Sequence, residues 1–88
     1  MEKSIHTTEN DVFRELLRET RSAAQLTQIE VGERLGKGQS FVSKVERGEI
    51  RLDVIQLRTY CHAINTTLPA FSQRLESLLT ARPKRRKP

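Results

Sequence analysis

The stretch from Thr27 to Gly48, TQIEVGERLGKGQSFVSKVERG, constrains the fold more than any other part of the chain. It holds two short helical patterns, 28–35 and 39–47, separated by a turn around Gly36–Gly38. Thr27 is a natural N-cap, and Glu30 three residues later completes a capping-box pattern. Gly36 suits the left-handed position that ends a helix. Two helices joined this tightly must cross at a steep angle, as in a helix-turn-helix. Their contact leaves little room, which accounts for Gly32 on the inner face beside Val31 and Leu35. From the second pattern, Val42 and Val45 point inward at i and i+3.

The rest of the chain also reads as helix. Val12, Phe13, Leu16 and Leu17 make an apolar stripe over 11–24, with Thr8 or Asn10 as its cap. A fourth helix is expected over 54–64, capped by Asp53 with Gln56 at the box position. Its buried face would hold Val54, Leu57, Tyr60, Cys61 and Ile64, and Asn65 would take the left-handed position at its end. A fifth spans 69–80, with Pro69 in its first turn. No strand-like alternation or internal repeat competes, so the fold class is all-α with five helices. The expected layout is a flexible segment 1–9, one domain over 10–80, and a basic, disordered tail over 81–88.

Charge and length narrow the function. The 88 residues suit one small domain. Residues 82–88, RPKRRKP, carry five basic residues and no acid; taking those five from the 16 Lys+Arg leaves 11, equal to the 11 Asp+Glu. The body is therefore formally neutral and the tail supplies the whole net charge of +5. Such a tail suits an anionic polymer such as nucleic acid, although solvated basic tails are also common. The single cysteine, Cys61, excludes an internal disulfide and fits a reducing compartment. With no spanning apolar run and no apolar leader, the expected location is the cytoplasm. His6 and His62 have no ligand-spaced partners, so no metal or other cofactor is expected. No nucleophile–base arrangement or phosphate-cradling loop stands out, so the chain is not read as an enzyme.

The outer face of 39–47 shows Gln39, Ser40, Ser43, Lys44 and Arg47. That face builds no core and suits reading an edge of donors and acceptors. The DNA major groove offers such an edge: glutamine pairs with adenine, lysine with the acceptors of guanine, and serine is permissive. Gln28, at the start of the preceding helix, would sit near a phosphate. Phe41 is read either as a core-edge residue or as a contact near the DNA backbone.

The segments LTQIEVGERLG, QSFVSKVERGE and DVIQLRTYCHAI together resemble the Cro-like phage-repressor helix-turn-helix family, also called the xenobiotic-response-element type. The resemblance covers about residues 10–80, with Thr27-Gln28, Gly36 and Glu46-Arg47-Gly48 at the family spacing. It implies a five-helix domain, sequence-specific binding of double-stranded DNA, and dimers on inverted-repeat operators. Gln28 matches the family's phosphate-contacting glutamine. Gln39, Ser40 and Lys44 match base-contacting positions, and Ser43 borders the backbone. Thr27, Lys37 and Arg47 complete the expected DNA-facing set. Arg21 and Glu46 match a structural pair tying the first helix to the end of the recognition helix. Three departures stand out: Gly32 in place of alanine, Lys37-Gly38 in place of an aliphatic-then-hydroxyl turn, and Ile29 where a polar residue is usual.

Phe71, Leu75, Leu78 and Leu79 form a stripe on the fifth helix that so small a domain cannot bury completely. With Ile55 and Leu68 they suggest a two-fold homodimer, the expected interface being Ile55, Leu68, Phe71, Leu75 and Leu78. The alternative is that the stripe closes a monomer's own core. The resulting reading is a dimeric, cytoplasmic DNA-binding regulator, a repressor. Neighbouring readings are the antitoxin of a toxin–antitoxin pair, with a protein partner, and a controller of a restriction system. From another class comes a protein-interaction adaptor that keeps the fold without DNA binding.

Overall fold

Local signals set most helix ends in the computed structural model, which describes residues 8–81. The elements are α1 (Thr8–Ala23), α2 (Gln28–Leu35), α3 (Gln39–Glu46), α4 (Val54–Ala63) and α5 (Leu68–Ala81). Thr27 and Glu30 form the anticipated capping box on α2, and Asp53 and Gln56 form the one on α4. Gly36 closes α2 at φ 67°, which a residue bearing a Cβ rarely adopts, and Asn65 follows α4 at φ 65°. Thr67 caps α5 through its hydroxyl, which accepts from the Ala70 amide at 3.2 Å.

The start of α1 differs from the sequence expectation. Helix α1 begins at Thr8, so Asn10 lies inside the first turn instead of capping it. Glu9 and Asp11 in that turn complement the positive end of the helix dipole, which favours the earlier start. The basic tail and residues 1–7 lie outside the described residues. Among the described residues, no helix is long and apolar enough to cross a membrane.

The core sits where the helices converge. Leu16 and Leu17 from α1, Val31 from α2 and Val42 and Val45 from α3 are buried together with Tyr60, Cys61, Ile64 and Phe71. Helix α2 packs on α3 and α4, while α1 touches α3 and α5. Phe13 meets Phe71 edge-to-face, with ring centroids 5.9 Å apart. Phe71 is only 2% exposed, so its side chain is spent inside one protomer and has no surface left for a partner. Leu68 and Leu75 also pack against this core. The apolar surplus on α5 is thus smaller than the stripe suggests, and Leu78 is its exposed remnant. Val54 is the second correction: it is 61% exposed, not buried, because Val54, Ile55 and Gln56 stand clear of the core and α4 first packs against it at Leu57. Ile55 beside it is 69% exposed.

Candidate nucleic-acid interface

Gly32 governs how closely α2 and α3 approach. A Cβ placed there would come within 2.6 Å of the Gly38 carbonyl carbon and oxygen and 3.0 Å of the Gln39 amide. Only a residue without a side chain lets the turn fold back this tightly. The close turn sets the first residue of α3, Gln39, beside the first residue of α2, Gln28: Gln39 Nε2 donates to Gln28 Oε1 at 3.2 Å.

Gln28 is in turn oriented from behind. Its Nε2 donates to Glu46 Oε1 at 3.0 Å. Arg21 holds the same carboxylate with a bidentate fork, Nε to Oε2 at 2.6 Å and Nη2 to Oε1 at 3.1 Å. Arg21 also donates from Nη1 to the Leu26 carbonyl at 3.0 Å. The side chains of Arg21 and Glu46 are 14% and 5% exposed, so the pair is largely shielded from water and salt. Arg14 donates to the Glu46 carbonyl at 3.0 Å, fastening the end of α3 to α1 a second time.

This chain of bonds has a chemical consequence at its far end. A carboxylate only accepts, so Gln28 must present its Nε2 to Glu46 and its Oε1 to Gln39. Gln39 must then use one Nε2 hydrogen inward. One N–H and the Oε1 acceptor remain for the outside, the pair that adenine N7 and N6–H₂ require in the major groove. Gln39, Ser40 and Lys44 are exposed together on α3.

Other residues of the expected DNA-facing set are also engaged within the protein. Thr27 uses its hydroxyl to accept from the Glu30 amide at 3.0 Å, so it serves as a cap. Arg47 binds Ser43 Oγ and pairs with Glu49 at 2.9 Å. That bond holds the Glu49 carboxyl below its ordinary range. Lys37 lies with its Nζ 5.3 Å from the centre of the Phe41 ring, and Phe41 packs against the core edge. The interface residues proposed for dimerisation are not gathered on one surface. Ile55 lines a groove with Leu35, Phe41 and Leu52, whereas Leu78 lines another with Val12 of α1.

Sequence reasoning missed Arg14 and Arg34. Arg34 donates from α2 to the Ala63 carbonyl at 3.0 Å and to Asn65 Oδ1 at 2.8 Å, satisfying the end of α4. Nothing in their spacing signals these roles, since each partner is about thirty residues away. Ile29 was a visible departure, and it stands 54% exposed next to Gln28. Among the described residues, no group of His, Cys, Asp and Glu side chains gathers in a way that could hold a metal ion.

A family model described as a helix-turn-helix domain matches residues 12–70. A solved structure, an XRE-family like protein from Pseudomonas syringae pv. tomato str. DC3000, is 46% identical, with 84% of this chain and 90% of that one covered at a TM-score of 0.76. No curated protein matches. With that match spanning α2, α3 and the bonded glutamines between them, the chain belongs to the helix-turn-helix domain family, in its XRE-type, DNA-binding form.

Proposed function

We propose that the protein is a dimeric transcriptional repressor that reads an inverted-repeat operator with α3. The observation that carries this reading is the bonded series Arg21–Glu46–Gln28–Gln39, which fixes the amide of Gln39 before any DNA arrives. A preset amide binds with less ordering cost than a free one. Lys44 and Ser40 complete the reading face, and Gln28 takes a backbone phosphate at the start of α2. Two copies joined through the exposed first turn of α4 place their recognition helices about 34 Å apart, one turn of DNA. Bound across a promoter, such a dimer occludes polymerase.

The test is a set of alanine variants on selected operator half-sites. Gln39→Ala and Lys44→Ala are each expected to cost about 1–3 kcal/mol on the cognate site and to relax one base position. Gln28→Ala is expected to weaken all sequences and also to loosen the choice at the Gln39 position, since the amide of Gln39 loses its anchor. Unchanged affinity and preference in Lys44→Ala would remove α3 from the reading face.

A further inference from the structure

A groove of about 460 Å³ lies between α1 and α5, and none of the α2–α3 reading residues lines it. Its floor is apolar: Val12, Leu16 and the exposed Leu78. Its wall is acidic: Asp11, Glu15 and Glu19 stand on successive turns of α1. Asp11 pairs with Arg14 and Glu15 with Arg18, yet the side chains of both acids remain about half exposed, at 54% and 51%. Each carboxylate has about four acceptor sites, so an exposed pair leaves capacity for a second cation.

The chain carries its own complement next to this groove. Leu78 is three residues before Ala81, the last residue of α5, and the seven residues that follow hold five cations and no acid. Seven extended residues reach roughly 24 Å, about twice the roughly 12 Å from Asp11 to Glu19 along α1. We propose that the groove is the docking site of the chain's own segment 82–88 when no DNA is bound. Arg82, Lys84, Arg85, Arg86 and Lys87 lie along the acidic row, and their aliphatic stems cover the Val12–Leu78 floor. Single exposed ion pairs are weak, but several made at the high effective concentration of an attached segment hold together. The same cations are those that would run along phosphates. The groove therefore competes with DNA for them and restrains binding to random sequence. The docking stands without the operator reading, and only its effect on DNA rests on that reading.

The experiment uses the full chain in three forms. One is unaltered, one carries Asp11→Asn, Glu15→Gln and Glu19→Gln, and one has all five tail cations replaced by glutamine. Backbone amide shifts are recorded at low salt and at roughly 0.5 M, where screening is within about 4 Å. Neutralising the tail is expected to move the amides of residues 11–19, and high salt is expected to reproduce that change in the unaltered chain. Changes confined to the residues next to Arg82 would overturn the proposal. So would α1 shifts that grow with protein concentration, which would assign the groove to a second copy's tail. On a random duplex at low salt, the acid-neutral form is expected to bind roughly threefold tighter or more, and to show no such gain once the tail is neutral. An equal gain in both backgrounds would mean that the acids act through overall charge alone, and the competition fails. If the α1 shifts appear while no duplex is bound, the docking survives and the operator reading falls.

Discussion

At Gly32, two effects of opposite sign compete. Alanine there would improve helix propensity by roughly 0.5–1 kcal/mol. It would also drive a methyl to 2.6 Å from the backbone of Gly38, which cannot swing aside as a side-chain tip can. Overpacking of this kind costs about 1–3 kcal/mol. Gly32→Ala is therefore expected to destabilise the domain by roughly 1–2 kcal/mol in urea denaturation, and to weaken operator binding by moving Gln39. A stabilised variant would show that the α2–α3 turn relaxes easily. Tyr60 offers a second single-residue test. Its hydroxyl is buried with no hydrogen-bond partner among the described residues, and burial, with Glu46 nearby, raises its pKa well above the ordinary 10.0. Burial likewise pushes Cys61 up to about 11. Both groups fold best when protonated. Their contribution is complete below their unfolded values, near 9 for the thiol and 10 for the phenol, and is lost as pH rises above them. Tyr60→Phe is expected to be neutral or stabilising by about 1 kcal/mol at pH 7 and to flatten the alkaline loss, as measured by denaturation from pH 7 to about 11.

Among the elements, α1 acts on the reading helix through Arg21 and Glu46. Removing only Glu46 would leave Arg21 poorly compensated, and breaking a buried pair costs roughly 3–5 kcal/mol. Replacing both with apolar residues of similar volume is often neutral. The double variant Arg21→Met, Glu46→Leu is therefore expected to recover most of the stability that Glu46→Leu loses. It is not expected to recover the adenine preference proposed for Gln39, because Gln28 then lacks the acceptor that fixes its amide. Melting curves and binding to sites changed at one base separate the two effects. A double variant with full preference would show that the pair serves folding alone. Of this arrangement, the caps at Thr27 and Asp53 and the inward Val31, Val42 and Val45 could be read from short-range spacing. The Gln28–Glu46 and Arg34–Ala63 bonds could not, since each joins residues from different helices whose meeting depends on how those helices cross.

On the scale of the whole molecule, the proposed function requires a second copy of the chain. Phe71 is taken up by the core, so the dimer surface is expected at the exposed first turn of α4. Ile55 and Val54 there adjoin the groove edged by Phe41 and Leu52. Two copies must bury roughly 1,200–2,000 Å² in total for a stable specific contact. Ile55→Asp is expected to give monomers in sedimentation equilibrium that still unfold cooperatively, with the melting temperature lowered only by the lost association, because the residue is solvent-facing in the single chain. An unaltered chain that sediments as a monomer at high concentration would sink the dimer, and with it the inverted-repeat operator.

The helix count, the tight α2–α3 turn, the two capping boxes and the polar outer face of α3 followed from the sequence alone. These are properties of residues within about four positions of one another, where backbone hydrogen bonds and helical periodicity act directly. The tertiary structure decided which apolar residues had room inside. It placed Phe71 against Phe13 and left Val54 outside, although both sit on the apolar stripe of their helix. It also decided that Gln39 is braced through Gln28 and Glu46 to Arg21. Burial and long-range pairing depend on the angles at which the helices cross, and those angles are set by the packing of all five elements at once.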